Sequence, residues 1–316
     1  MNNNYDFYTY LTSQQTAQNY LFSCYKEISE VDAASKSYEN YSAFMYYLEH
    51  GKSFYEIGDT VDLFAKPVLY FYGMTHLLKG CLLSRRPNYP ESTTLLSHGV
   101  TSRKRKKKNY SFMEDDVKVQ KKGLFPYFSS HLFNISNMPF EKVKMEDLLS
   151  VIPEIQSFFN LQQSRRMIAV GSMDSRFLKF PTELLDNYHL TNKAFIKRIE
   201  PNLPLIEDLD IDKEYIQLKI ARNITSSNGP FFIHMKDRTI YFPYQRNHFL
   251  PISEVMIHYL LLYNLSMLCR YEAEWWGDLL SSKSDLDYPF IRKFLNITAE
   301  KIPQILQHEL LSVGKL

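Results

Sequence analysis

The hydrophobic period of this 316-residue chain changes twice, and that change limits the folds open to it. The first third carries apolar side chains at helical spacing. Ala17, Tyr20, Leu21 and Tyr25 mark one face over 14–29. Tyr41, Phe44, Met45 and Leu48 mark another over 38–50, with Gly51 placed to end that helix. Residues 53–83 are long and mostly apolar, and Pro67 is expected to kink or restart the helix there. The loop "SRRPNYPESTT" follows. Between about 161 and 245 the segments become short and rich in β-branched and aromatic residues: "RRMIAVGS", "SRFLKFP", "YIQLKIAR" and "FFIHMKDRTIYFPY". The last reads as a hairpin, Phe231–Met235 turning through Lys236, Asp237 and Arg238 into Thr239–Phe242. Helical spacing then returns over Ile252–Leu280, opening at Pro251 and Ser253, and in two shorter helices, "SDLDYPFIRKFLNIT" and "AEKIPQILQHELL". The expected fold is α+β, mainly α. Helical portions 1–160 and 246–316 would pack together, with a small antiparallel sheet, 161–245, inserted between them.

Hydrophobic residues make up 45% of the chain, enough for a large core without disulfide staples. Cys24, Cys81 and Cys269 each sit in an apolar, helix-like context with no CxxC pair, which reads as small buried side chains in a reducing compartment. The N-terminal MNNNYDFYTY lacks the basic and apolar regions of a secretory signal. The most apolar stretch, 259–268, is broken by Asn264 and Ser266, so no membrane span is expected. These features lead us to expect a cytoplasmic protein.

Charge is concentrated. The net charge is only +2, yet residues 101–123 hold nine Lys or Arg against three Asp or Glu. The remaining 28 basic and 32 acidic residues make the rest of the chain slightly acidic. Six consecutive cations, Arg103, Lys104, Arg105, Lys106, Lys107 and Lys108, form the centre of this segment, followed by Tyr110, Phe112, Lys118, Lys121 and Lys122. Clustered cations release counterions from a phosphate backbone, and a neighbouring Tyr or Phe can stack on a base. A docking surface for an acidic protein and simple solvation are the other readings. We expect this run to be an ordered or partly ordered loop of the fold.

Signatures of catalysis are sparse. No HExxH, GxSxG, GxxxxGK[ST] or GxGxxG is present, and ten glycines leave little for a phosphate cradle, so no metal and no cofactor is expected. Glu114, Asp115 and Asp116 are consecutive, and Asp116-Val117-Lys118 is a D-x-K element of the kind metal-dependent nucleases place on a strand. Most such triplets are solvated acids. Tyr72 and His76 stand at i, i+4 with Lys79 on the same side, so His76 is either a base or phosphate ligand or a core-edge histidine. Arg270 is placed to pair with Glu274 and to be buried. Of the adjacent Trp275 and Trp276, one should be core and the other cap a groove or an interface.

"KPVLYFYGMTHLLKG", "HGVTSRKRKKKNYSFMEDDVKVQKKGLF" and "YLLLYNLSMLCRYEAEWWGDLL" resemble the YaaC-like family of bacterial cytosolic proteins across nearly the whole chain. The family carries no established activity. "LYFYGMTHLLKG" followed by "SHGV", with its His98, also resembles HEPN-type helical bundles at the level of fold. Catalytic HEPN domains are ribonucleases with Arg and His four to six residues apart on one helix. No His here has an Arg at that spacing upstream. The resemblance therefore implies a non-catalytic module that binds RNA, nucleotides or proteins, and such bundles often form homodimers. YaaC-like members are often encoded beside the IMP dehydrogenase gene, which implies a link to nucleotide metabolism.

Three functions follow as expectations. The first is a non-catalytic protein that binds RNA or another phosphate-rich ligand through 103–122, with His76, His98, Arg270 and Trp276 in support. The second is a protein-interaction regulator of a nucleotide-metabolic enzyme such as IMP dehydrogenase, using the same patch or the Trp276 region. The third is a metal-dependent nuclease built on Asp115, Asp116 and Lys118.

Overall fold

The computed structural model describes residues 6–102 and 110–314. The chain divides into two compact units, Met1–Val143 with His258–Leu316, and Lys144–Ile257.

The first unit begins with helices α1 (Asp6–Tyr10), α2 (Gln14–Tyr25), α3 (Ala33–Thr60) and α4 (Lys66–Arg85). Ser13 caps α2 by accepting from Thr16 N, and Asp32 caps α3 by accepting from Ala34 N and Ser35 N. Gly51 does not end a helix. It is buried inside the 28-residue α3, where a Cβ would meet Leu77 Cδ2 of α4 at 2.6 Å. Gly58, Gly73 and Gly80 do the same work along this seam, so glycine here buys close helix packing rather than a turn. Pro67 restarts the chain as a helix, sitting in the first turn of α4, where its missing N–H costs nothing.

A three-stranded sheet follows that was not anticipated from the sequence. β1 (Val100–Ser102) pairs antiparallel with β2 (Asp116–Val119), then come α5 (Leu124–Phe133) and β3 (Lys142–Lys144), in the order β1-β2-β3. The strands are three or four residues long, too short for alternation to stand out.

The second unit carries α6 (Met145–Leu149), α7 (Gln156–Leu161), β4 (Met167–Ser172), β5 (Phe177–Pro181), α8 (Glu183–Tyr188), α9 (Asn192–Ile199), β6 (Ile206–Ile211), β7 (Tyr215–Ile220), β8 (Phe232–His234) and β9 (Thr239–Pro243). All six strands from β4 on join one antiparallel sheet, order β6-β7-β5-β4-β9-β8. The expected hairpin is present, with His234 opposite Thr239 and Arg238 at φ 55° in the turn. Ile168, Val170, Leu178, Phe180, Ile216 and Leu218 point to one face, where Leu184 and Tyr188 of α8 and Phe195 and Ile199 of α9 complete a core. Arg166 is tied within this unit to Glu146 at 2.5 Å and to His248 at 3.2 Å.

Helix α10 (Glu254–Tyr271) starts in the second unit and from His258 belongs to the first; α11 (Ala273–Ser282) and α12 (Asp287–Leu311) follow. The single helix expected over 252–280 is thus interrupted at Glu272, whose ψ of 53° leaves the helical region. The two helices expected at the end are one. Pro303 lies inside α12, while Phe294, Ile302, Leu306 and Leu310 continue one buried stripe past it. Burial of that stripe outweighs the hydrogen bond proline removes. Tyr8 and Tyr20 donate to the carbonyls of Pro303 and Leu310 and fasten the chain's beginning to its end. The three cysteines are free and buried, and burial pushes the thiols of Cys24 and Cys269 up to about 11 and of Cys81 to about 12.

Candidate functional site

Helix α4 turns Tyr72, His76 and Lys79 to one side of the first unit, at steps of four and three residues. Helix α3 sets Tyr47, His50 and Phe54 against them. The His76 ring stacks on Phe54 (centroids 5.7 Å, 9°) and meets the edge of His50 at 5.3 Å. Lys79 Nζ lies 5.7 Å from the Tyr47 ring centroid. The backbone carbonyl of His98 accepts from Phe125 N at 3.1 Å and from Tyr259 Oη at 2.9 Å, which holds its ring against Phe71, Tyr72 and Tyr263. Gly99, at φ 76°, follows; its Cβ would meet Pro126 Cδ at 2.6 Å, so only glycine allows this approach.

Burial, then the charge of Lys79, then His50, push the His76 imidazole from 6.5 down to about 4. Burial, then Arg270, then Lys79, lower His98 as well. Lys79 is itself lowered by burial. One electrostatic neighbourhood therefore holds three imidazoles, an ammonium and a guanidinium. Among the described residues no carboxylate lies within ion-pair distance of Lys79 or Arg270, and the half-buried His76 Nδ1 has no hydrogen-bond partner. Such a group favours an anion, which would take hydrogen bonds and restore the charge on His76. Planar rings around it offer stacking surfaces.

Because the folded protein holds His76 neutral, the unfolded chain binds more protons between pH 6.5 and about 4. His76 should thus cost stability as pH falls through that window. Urea melts at pH 7 and pH 5 should show a smaller loss for His76→Phe than for the parent; equal losses would mean the imidazole ionises freely in the fold.

Arg270 departs from the reading given above. It is exposed, with Nε donating to Ser266 O at 2.9 Å and the guanidinium 5.2 Å from the Tyr271 ring; Glu274 does not pair with it. The break at Glu272 sends the next turn elsewhere, so the i, i+4 spacing never forms on one helix. Trp276 is fully buried and donates to Phe64 O at 3.1 Å, so it is core rather than an interface anchor. Trp275 is the half-buried one, packed by the Tyr110 ring at 4.8 Å.

Arg103 to Lys108 lie outside the described residues, and with them the expectation of an ordered basic loop. Both flanks are fixed. Ser102 pairs with Val117. Tyr110 Oη donates to Asp115 Oδ2 at 2.8 Å, and Asn264 Nδ2 of α10 donates to the same oxygen at 2.8 Å. Asp287, at the start of α12, accepts from Phe112 N (2.6 Å), Met113 N (3.2 Å) and Ser111 Oγ (3.3 Å). Asn264 follows Tyr263, against which His98 packs, so adjacent residues of α10 serve the flank of the basic run and the histidine cluster. Lys118 is not a free cation: it pairs with Glu141 at 2.6 Å, and Asp116 faces Lys142 at 3.8 Å. Lys121 and Lys122 are exposed. Among the described residues no group of three or more His, Cys, Asp or Glu is placed to hold a metal ion. Nor is any helix among them long and apolar enough to cross a membrane.

The fold and site define a mainly helical α+β protein with a cationic and aromatic cluster, without an ion-paired carboxylate among the described residues, beside the flanks of a basic run. Residues 9–310 match the family model described as YaaC-like Protein, and the chain belongs to the YaaC-like family. No curated protein and no solved structure matches it.

Proposed function

We propose that the first unit binds RNA or another phosphate-rich ligand. Arg103–Lys108, Lys121 and Lys122 form the outer grip, and Lys79, His76, His98 and Arg270 an inner one. The observation that carries this reading is Lys79: half-buried, between two lowered imidazoles, with no carboxylate among the described residues to neutralise it. A cation held this way costs desolvation that an incoming phosphate repays. The test is fluorescence anisotropy with a single-stranded RNA across a salt series. Replacing Arg103–Lys108 by alanine should flatten the log–log salt slope by up to about 4, and Lys79→Glu should weaken binding about tenfold or more. Binding that ignores both salt and the six-alanine change would overturn the proposal.

A second reading, a protein-interaction regulator of a nucleotide-metabolic enzyme, is favoured by the outer side of α3 and the loop after it. Tyr38, Tyr46, Ile57 and Phe64 are 62%, 55%, 49% and 57% exposed, more apolar surface than a solvated helix needs. It expects a stoichiometric protein partner that survives nuclease treatment. The nuclease reading has less behind it, because Asp115, Asp116 and Lys118 are each engaged in bonds that hold the small sheet and its entry loop.

A further inference from the structure

The six-stranded sheet of the second unit is opened along one seam. β5 pairs with β7 at five successive positions, and β4 pairs with β9 along its length around a bulge at Val170. Between β4 and β5 the ladder is Gly171↔Leu178 alone. Beyond the bulge no further pair forms between these two strands. The strands part there around a groove of about 610 Å³ on the face away from the α8–α9 core.

The groove's chemistry is one-sided. Its floor is the small side chain of Ala169 with the backbone of Val170 and Gly171, whose Cβ position faces Leu178 on the core side. Phe177, 49% exposed, stands at one end. Tyr215, across from Pro181, stands at the other with Lys179 Nζ 3.7 Å above its ring centroid. Ser172 and Ser175 already accept from Asp174 N and Phe177 N, so their hydroxyl protons are available to donate. Arg165 also lines the groove and pairs with Glu183 at 3.2 Å. No carboxylate lines the groove, and Lys179 pairs with none among the described residues.

The geometry points to a binding site for a small planar aromatic ring bearing one anionic group. The ring would lie on the Ala169–Gly171 floor beside Phe177, and its carboxylate or phosphate would take the ammonium of Lys179 and the serine hydroxyls. A groove of this volume suits a molecule of drug or nucleotide size. This site lies in a different unit from the basic run and stands or falls independently of it.

The test is isothermal titration calorimetry on the full chain with three probes: 4-hydroxybenzoate, adenosine monophosphate and inorganic phosphate. The first two separate an aromatic carboxylate from a nucleotide as source of the shared chemistry, and the third measures charge alone. At least one aromatic anion should bind one to one with submillimolar affinity, about tenfold or more tighter than phosphate. Lys179→Glu, an exposed change that the fold tolerates, should weaken it about tenfold or more. Ala169→Phe should fill the floor and abolish it, while Gln217→Ala on the same face should leave it within about twofold. The proposal is overturned if neither aromatic anion binds below about 5 mM, if phosphate binds as tightly, or if Lys179→Glu leaves the titration unchanged.

Discussion

Gly51→Leu should unfold the first unit or cost it at least about 3 kcal/mol, the upper end for overpacking a close-packed core. A Cβ at this position would stand 2.6 Å from Leu77 Cδ2, 2.7 Å from Leu77 Cγ and 3.2 Å from the carbonyl oxygen of Gly73. The contact is reciprocal: a Cβ at Gly73 would meet Tyr55 Cδ2 at 2.9 Å and the carbonyl oxygen of Gly51 at 3.2 Å. Each glycine leaves room for a side chain of the other helix, Leu77 over Gly51 and Tyr55 against Gly73, so neither helix can retreat without opening the seam at Gly58 and Gly80 too. Gly51→Ala would gain about 1 kcal/mol of helix propensity and lose more to the clash, for a net loss of up to about 2 kcal/mol. Gly277 in α11 is the control, since nothing lies within 4 Å of its Cβ position. Gly277→Ala should be neutral or stabilise by up to about 1 kcal/mol. Urea melts of the three variants decide it. A Gly51→Leu protein as stable as the parent would mean that α3 and α4 do not pack at this distance. The functional stake is direct, because these two helices hold Tyr47, His50 and Phe54 against Tyr72, His76 and Lys79.

Asp287→Ala should cost about 2–4 kcal/mol, because it strips the acceptor from two backbone N–H groups, of Phe112 and Met113, and from the Ser111 hydroxyl. It should also weaken RNA binding, since it frees the segment that leads out of the basic run. Asp287→Asn keeps one acceptor oxygen and should lose less. The two variants also separate the charge from the bonds. Burial raises the Asp287 carboxyl above its usual 3.8, against the pull of the Phe112 and Met113 amides. Between 3.8 and that raised value the folded state holds more protons than the unfolded one. This residue's contribution to stability therefore falls as pH rises through the window. In melts as pH rises from 4, the parent should lose stability relative to Asp287→Asn. An Asp287→Ala protein with unchanged stability and unchanged RNA binding would remove Asp287 from any role in placing the loop.

Some of the candidate site could be read directly. The spacing of Tyr72, His76 and Lys79 put them on one side of a helix, and they are found there. Their partners could not be read, because Tyr47, His50 and Phe54 sit on another helix and His98 in a loop, and no periodicity links the three segments. Arg270 shows the reverse error. The spacing of Arg270 to Glu274 implied a pair that the break at Glu272 redirects, and Trp276, placed by its adjacency to Trp275 as either core or cap, is the core one. The glycines of α3 and α4 held a signal that was missed: four glycines, in pairs seven apart, on two helices otherwise free of them.

The sequence by itself determined the class of the fold. Hydrophobic period is a local property, so the helix–strand–helix order, the 231–242 hairpin and family membership all follow from residues close together in the chain. It also determined where the positive charge sits, since composition is additive. Only the tertiary structure decided which helix a glycine serves, whether Pro303 breaks a helix, that Asp287 holds residues 175 positions away, and that Lys79 lacks a counter-charge among the described residues. Those outcomes depend on burial and on what lies opposite, and both are set by contacts between segments that carry no mark of each other.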